Sequence, residues 1–134
     1  MKRLGYVERI TQFLPVESML PAVGQGALGL QIRKTDTELA KILEQFNHQP
    51  TAVEVTAERS FLRALGGGCR LPIAAFGKME GKELSLEGLV ASPNGASAVR
   101  DKVSGSIEEA EELGQKLADM IMEKGGKRLL NLVH

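Results

Sequence analysis

Residues 82–92, KELSLEGLVAS, decide the fold. Leu84, Leu86 and Val90 fall on one face of an extended chain and Ser85 and Glu87 on the other, the period of a strand with one buried face. The turn sequences EGK (80–82) and SPNGA (92–96) bound it and place further strands near 71–79 and 96–103. Links this short force antiparallel pairing, because a parallel return needs a crossover of about a dozen residues.

Helical spacing flanks this sheet on both sides. Downstream, SIEE from Ser106 is a capping box opening the longest helix, with Ile107, Ala110, Gly114, Leu117 and Ile121 on one face and a stop at Gly125. Its acidic first turn and basic end (Lys124, Lys127) suit the helix dipole. KRLLNLVH (127–134) closes the chain as a short helix. Upstream, TAVE from Thr51 reads as a second capping box. Its helix aligns Ala57, Phe61, Ala64 and Leu65 and ends at the glycines 66–68. A third box, TDTE from Thr35, opens a helix with Leu39, Ile42, Leu43 and Phe46 on one face, stopped by Asn47 to Pro50. Before it, LPVESMLPAVGQGALGLQIR (14–33) has an apolar run without helical spacing and reads as an extended connector entering a buried strand over Ala27–Arg33. The expected class is α+β: a three-stranded antiparallel sheet covered on one face by about three helices, preceded by an extended segment and a helix.

At 134 residues the chain is one ordinary domain, or a small domain plus part of another. Seventeen Lys+Arg balance 17 Asp+Glu, which excludes the simplest polyanion reader, so no nucleic-acid partner is expected. A single Cys cannot form an internal disulfide or a multi-cysteine zinc site, as in a cytosolic protein. No stretch approaches the ~20 apolar residues of a membrane span, and MKRLGYVERITQFLP (1–15) turns polar too early for a signal peptide. The expectation is a soluble, cytoplasmic protein without a membrane partner.

Two segments invite a chemical reading. In GGGCR (66–70) the glycines precede the only thiol. They serve equally as a helix C-cap with Cys69 behind it, or as a freed loop carrying a nucleophile that the Arg70 guanidinium favours as thiolate. VGQGALG (23–29) matches G-x-G-x-x-G formally, but it lacks the strand–turn–helix setting of a dinucleotide site, and a tight crossover is the better reading. Elsewhere, His48 and His134 assemble no metal cluster or triad, and Glu58 and Arg59 read as solvated or interhelical pairs. The acidic run EEAEE is an exposed helix face, and the five Met residues read as core filling.

Taken in order, LPAVGQGALGLQIR, NHQPTAVEVTAERSFLRALGGGCRLPIAAFG and LEGLVASPNG resemble the C-terminal part of the porphobilinogen deaminase (hydroxymethylbilane synthase) family, over nearly the whole chain. The departures are Gly66, where the family usually has an acidic residue, and Arg70, where Gln or His is frequent. The resemblance implies that Cys69 carries a dipyrromethane cofactor through a thioether bond. This cofactor primes the head-to-tail addition of four porphobilinogen units with loss of ammonia, and hydrolysis then releases hydroxymethylbilane. It also implies that Arg3, in KRLG, is a substrate-side arginine suited to carboxylates, that Gln25 and Gly26 lie near an inter-domain cleft, and that Arg33 closes the strand after them. No residue matches the family's catalytic aspartate, so no catalytic residue is expected in this chain.

The domain reading that follows is 1–34 as a remnant of the second domain with the crossover strand toward the first, 35–50 as a linking helix, and 51–134 as the cofactor-bearing domain. A chain so composed is expected to be inactive alone. Its Leu20, Val23, Leu28, Leu30 and Ile32 should be exposed, disordered or paired with another copy, giving self-association through residues 1–34. Two other readings stand beside it: a free-standing binding or regulatory module of the same fold, and a thiol-reactive protein, which would normally need a second Cys.

Overall fold

Three strands, β1 (Ile73–Glu80), β2 (Glu83–Ala91) and β3 (Ala98–Ser106), form one antiparallel sheet in the order β1-β2-β3. The computed structural model describes residues 1–67 and 72–133; Gly68 to Leu71, and with them Cys69 and Arg70, lie outside the described residues, as does His134. Pairing of Ala75 with Gly88, and of Leu86 with Gly77 and Val103, puts the alternating apolar positions on one face. Leu84, Leu86 and Val90 are fully buried there, as the period of two predicts.

Two helices cover that face: α2 (Gln49–Ala64) and α3 (Ala110–Ile121), with α4 (Lys127–Leu130) at its end. Phe61 of α2 and Leu117 and Ile121 of α3 complete the core, all fully buried. The capping box at Ser106 is formed: its hydroxyl accepts from the Glu108 amide, and the Glu109 carboxylate accepts from the Ser106 amide. Gly125, at φ 107°, breaks α3 from α4 where a stop was expected. Of the methionines, Met79 and Met122 pack against the core, whereas Met1 and Met19 are more than half exposed rather than core filling.

The upstream capping boxes differ from their expected form. The first helix, α1 (Thr37–Glu44), is capped by Asp36, whose carboxylate accepts from the Leu39 amide at 3.2 Å, not by Thr35. A carboxylate is the stronger acceptor at a helix N-terminus, and it draws the cap one residue along. α2 begins at Gln49, because Pro50 with its fixed φ and missing N–H fits the first turn. Thr51 is therefore inside the helix, its hydroxyl 2.9 Å from the His48 ring, and Pro50 starts this helix instead of stopping the one before.

Ala27–Arg33 does not form the expected strand. The segment has no ladder partner among the described residues, and a lone extended segment has nothing to satisfy its amides but water. Leu28 is 98% exposed and Leu30 67%, while Val23 packs against the core and Leu20 and Ile32 are half-buried. On α1, Ile42 and Phe46 are also exposed.

Candidate functional site

α2 runs from the crossover glycines to the cysteine segment, and its end is closed by glycine geometry. The Gly66 amide donates to the Arg63 carbonyl and the Gly67 amide to the Leu62 carbonyl, with Gly66 at φ +69°. This is a Schellman cap, so two of the three glycines serve as a helix stop. A β-carbon on Gly67 would meet the Leu62 side chain at 2.3 Å, so the chain turns tightly over its own last turn before it reaches the segment of Cys69. The cap half of the sequence reading is thus met; the proposed role of Cys69 falls on a residue outside the described ones.

Between Thr51 and Arg59, α2 lines one groove with residues 26–32 and bonds Gly24 through Glu58. Gly24 (φ 71°) and Gly26 (φ 86°) make the turn in AVGQGA, with the Gln25 amide bonded to the Ala22 carbonyl and the Ala27 amide to the Gly24 carbonyl. This is the tight crossover expected in place of a dinucleotide loop; no helix follows it directly, since α1 starts only at Thr37. The turn leads into an open groove of about 820 Å³, whose walls include Leu28, Leu30, Leu43, Phe46 and, at one side, the exposed Arg59. Gln25 is exposed. Arg3 sits on an exposed turn, Lys2–Leu4, and has no ion pair among the described residues.

Glu58 corrects the sequence reading most. It is 6% exposed, not a solvated pair, and its carboxylate accepts from the Gly24 amide at 2.7 Å and from the Gly77 amide at 2.8 Å. Burial pushes its pKa above the usual carboxylate range and the Glu54 charge adds to this; the amides of Gly77 and Gly24, and the Arg59 charge, oppose it. Glu54, one helical turn back, accepts from the Met79 amide at 3.0 Å. Arg59 points outward, as expected. The signal for this pair was present but weak: two carboxylates at i and i+4 beside the buried Ala57 and Phe61, and a glycine in the middle of β1, where another backbone must come close.

Two family models match the chain: "Porphobilinogen deaminase, dipyromethane cofactor binding domain" over residues 1–41, and "Porphobilinogen deaminase, C-terminal domain" over residues 52–123. Cys69 lies within the second match. Among similar curated proteins, the porphobilinogen deaminase of Pelobacter propionicus is 44% identical over all 134 residues, and that of Syntrophus aciditrophicus 47% over 130 residues, 97% of this chain. That of Nostoc sp. is 45% identical over 133 residues, 99% of the chain. The chain spans only 41–43% of the length of these relatives. With the C-terminal model matched over more than half of its residues, and with a sheet, capped helix and glycine crossover that follow the three ordered motifs, the chain belongs to the porphobilinogen deaminase family.

Proposed function

We propose that this chain is the C-terminal portion of an enzyme that joins four porphobilinogen units into hydroxymethylbilane, and that it carries the attachment point of the dipyrromethane cofactor at Cys69. The single supporting observation is the match of both family models in order along one chain, with the only thiol inside the second. When bound, the dipyrromethane supplies a primer to which each new pyrrole is joined through a carbon–carbon bond as ammonia leaves. The residues of this chain fit such a group. They offer one thiol for a thioether, entered from a helix stop that only glycine allows, and exposed guanidinium groups (Arg59 and Arg3) suited to acidic side groups. Cys69 holds the chain end covalently, which keeps intermediates from diffusing away. Arg3 binds carboxylates of the substrate.

Residues 1–34 are read as the remnant of the preceding domain with its crossover strand, 35–50 as the linking helix and 51–134 as the cofactor-bearing domain. In the whole protein the strand over Ala27–Arg33 would form on an edge that this chain does not supply. The site of action is cytoplasmic; among the described residues no helix is long and apolar enough to cross a membrane.

Intact mass of the chain purified from cells that make porphobilinogen, with peptide mapping, tests this directly. The expected result is a dipyrromethane-sized adduct confined to the Cys69 peptide and absent from Cys69→Ser, with no ammonia released from porphobilinogen by the chain alone. An unmodified thiol would overturn cofactor attachment to this chain.

The exposed Leu28 and Leu30, on a segment that pairs with no strand among the described residues, favour self-association through residues 1–34. Sedimentation velocity over a concentration series should show a dimer, weakened in Leu28→Lys. A monomer at every concentration sinks this reading and leaves the enzymatic one untouched.

A further inference from the structure

β1 is an edge strand, and its free edge is covered in an unusual way. Its outward amides fall on alternate residues, and among the described residues those of Ala75, Gly77 and Met79 meet no other strand. The Ala75 amide donates to the Pro21 carbonyl at 3.2 Å, that of Gly77 to Glu58 and that of Met79 to Glu54. Two residues along a strand advance about 6.6 Å and four along a helix about 6 Å, so carboxylates at i and i+4 of a helix lying along the edge match alternate amides. The close approach depends on Gly77, whose added β-carbon would stand 3.1 Å from both Cα and the carbonyl oxygen of Glu54.

Residues 17–24 pass around this edge. Upstream, on the sheet face away from the helices, Arg100 pairs with Glu87 and donates to the Glu17 carbonyl at 2.6 Å. The chain then bonds β1 through Pro21, lays Val23 against the core and reaches Glu58 through the Gly24 amide. Among the described residues, Glu58 is the one side chain that accepts from both the strap and the strand. Moreover, the strap lies in the segment matched by one family model and Glu58 in the segment matched by the other, so the contact joins two units of the family's architecture.

We propose that Glu58 is a bracing residue: its carboxylate, shared between Gly24 and Gly77, fixes the crossover to the edge of β1 and so sets where the chain leaves toward residues 27–33. It acts through backbone position and touches no reacting group. The brace holds whether or not the chemistry proposed above does. The charges facing it are Glu54 and Arg59 of its own helix; the strap and β1 present amides there.

Amide NMR on the unaltered chain reads the brace without a variant. Raising the pH through the Glu58 titration, which lies above the ordinary glutamate range, should move the Gly24 and Gly77 amide shifts together with one midpoint. A Gly24 shift that ignores this titration would overturn the proposal. Hydrogen exchange gives a second reading: Glu58→Gln should quicken exchange across 22–27 by about tenfold or more, the factor expected for losing a charge-assisted hydrogen bond, while β2 and β3 keep their protection. Glu54→Gln, at a carboxylate that accepts from Met79 and from no strap amide among the described residues, should leave the strap's protection unchanged. Unaltered strap protection in Glu58→Gln, or equal loosening in Glu54→Gln, counts against the brace. The folded carboxylate binds its proton more tightly than the unfolded one, so its contribution to stability is full below the ordinary glutamate range. That contribution is lost as pH rises through the native value, a slope that Glu58→Gln should flatten.

Discussion

Phe61→Ala is expected to remove about 3–5 kcal/mol of stability, the largest loss from any single core truncation here. Phe61 is fully buried on α2, and its ring stands where a side chain on Gly88 would otherwise be, 2.6 Å from that position, with Leu117 at 2.9 Å. A glycine beneath the ring means that nothing on β2 can move in to fill the space. The cavity would sit at the junction of the sheet with α2 and α3, so collapse would require moving a helix. Typical domains hold only about 5–15 kcal/mol in total, which makes this a large fraction of what the fold possesses. Urea unfolding followed by circular dichroism should show a lower midpoint with an unchanged slope. A loss below about 1 kcal/mol would show that the site relaxes freely, contrary to the packing described.

Gly114→Ala is expected to destabilise, although the same change in an exposed helix gains about 1 kcal/mol. A β-carbon there would lie 2.5 Å from the Ala57 carbonyl oxygen, 2.6 Å from Ser60 Cβ and 2.7 Å from the Phe61 amide. Two of these neighbours are backbone and the third is fixed to it, so none can rotate aside. α2 and α3 must separate, which stretches the bond from the Ser60 hydroxyl to the Glu111 carbonyl, 2.7 Å long, and lifts Phe61 from its place. Overpacking of this kind costs about 1–3 kcal/mol, and the upper end is expected here because backbone meets backbone. Gly29→Ala is the control: nothing lies within 4 Å of its position, and the change should stay within about 0.5 kcal/mol. A stabilised Gly114→Ala would mean that the helices cross less closely than described.

Several elements were legible in the residues because each is decided locally. The period of two from Leu84 to Val90 and the short turns on either side determine three antiparallel strands, since no other pairing can close so quickly. Ser106 with Glu109 is a complete capping box within four residues, and Gly66 with Gly67 a complete helix stop. The family, too, was readable from three ordered motifs, because it rests on residue identity and not on packing.

Other features needed the tertiary structure. Ala27–Arg33 has the alternation of a strand, yet strand formation requires a second edge, and the sequence of a segment does not say whether that edge is present. Asp36 outcompetes Thr35 for the cap only once helix geometry brings the Leu39 amide to one of them. Glu58 is the clearest case. A glutamate in a helix is ordinarily solvated, and with its partners 34 residues away at Gly24 and 19 at Gly77 the local signal is weak. Those two amides would otherwise be short of a partner only because α2 lies along the edge of β1 and the chain doubles back around it. The sequence by itself determined the three strands and their order, the Ser106 cap and the stops at Gly66–Gly67 and Gly125, all through contacts a few residues long, and the family through residue identity. Tertiary structure alone decided which charged side chain is buried, because that depends on which unpaired backbone groups are brought to it from distant parts of the chain.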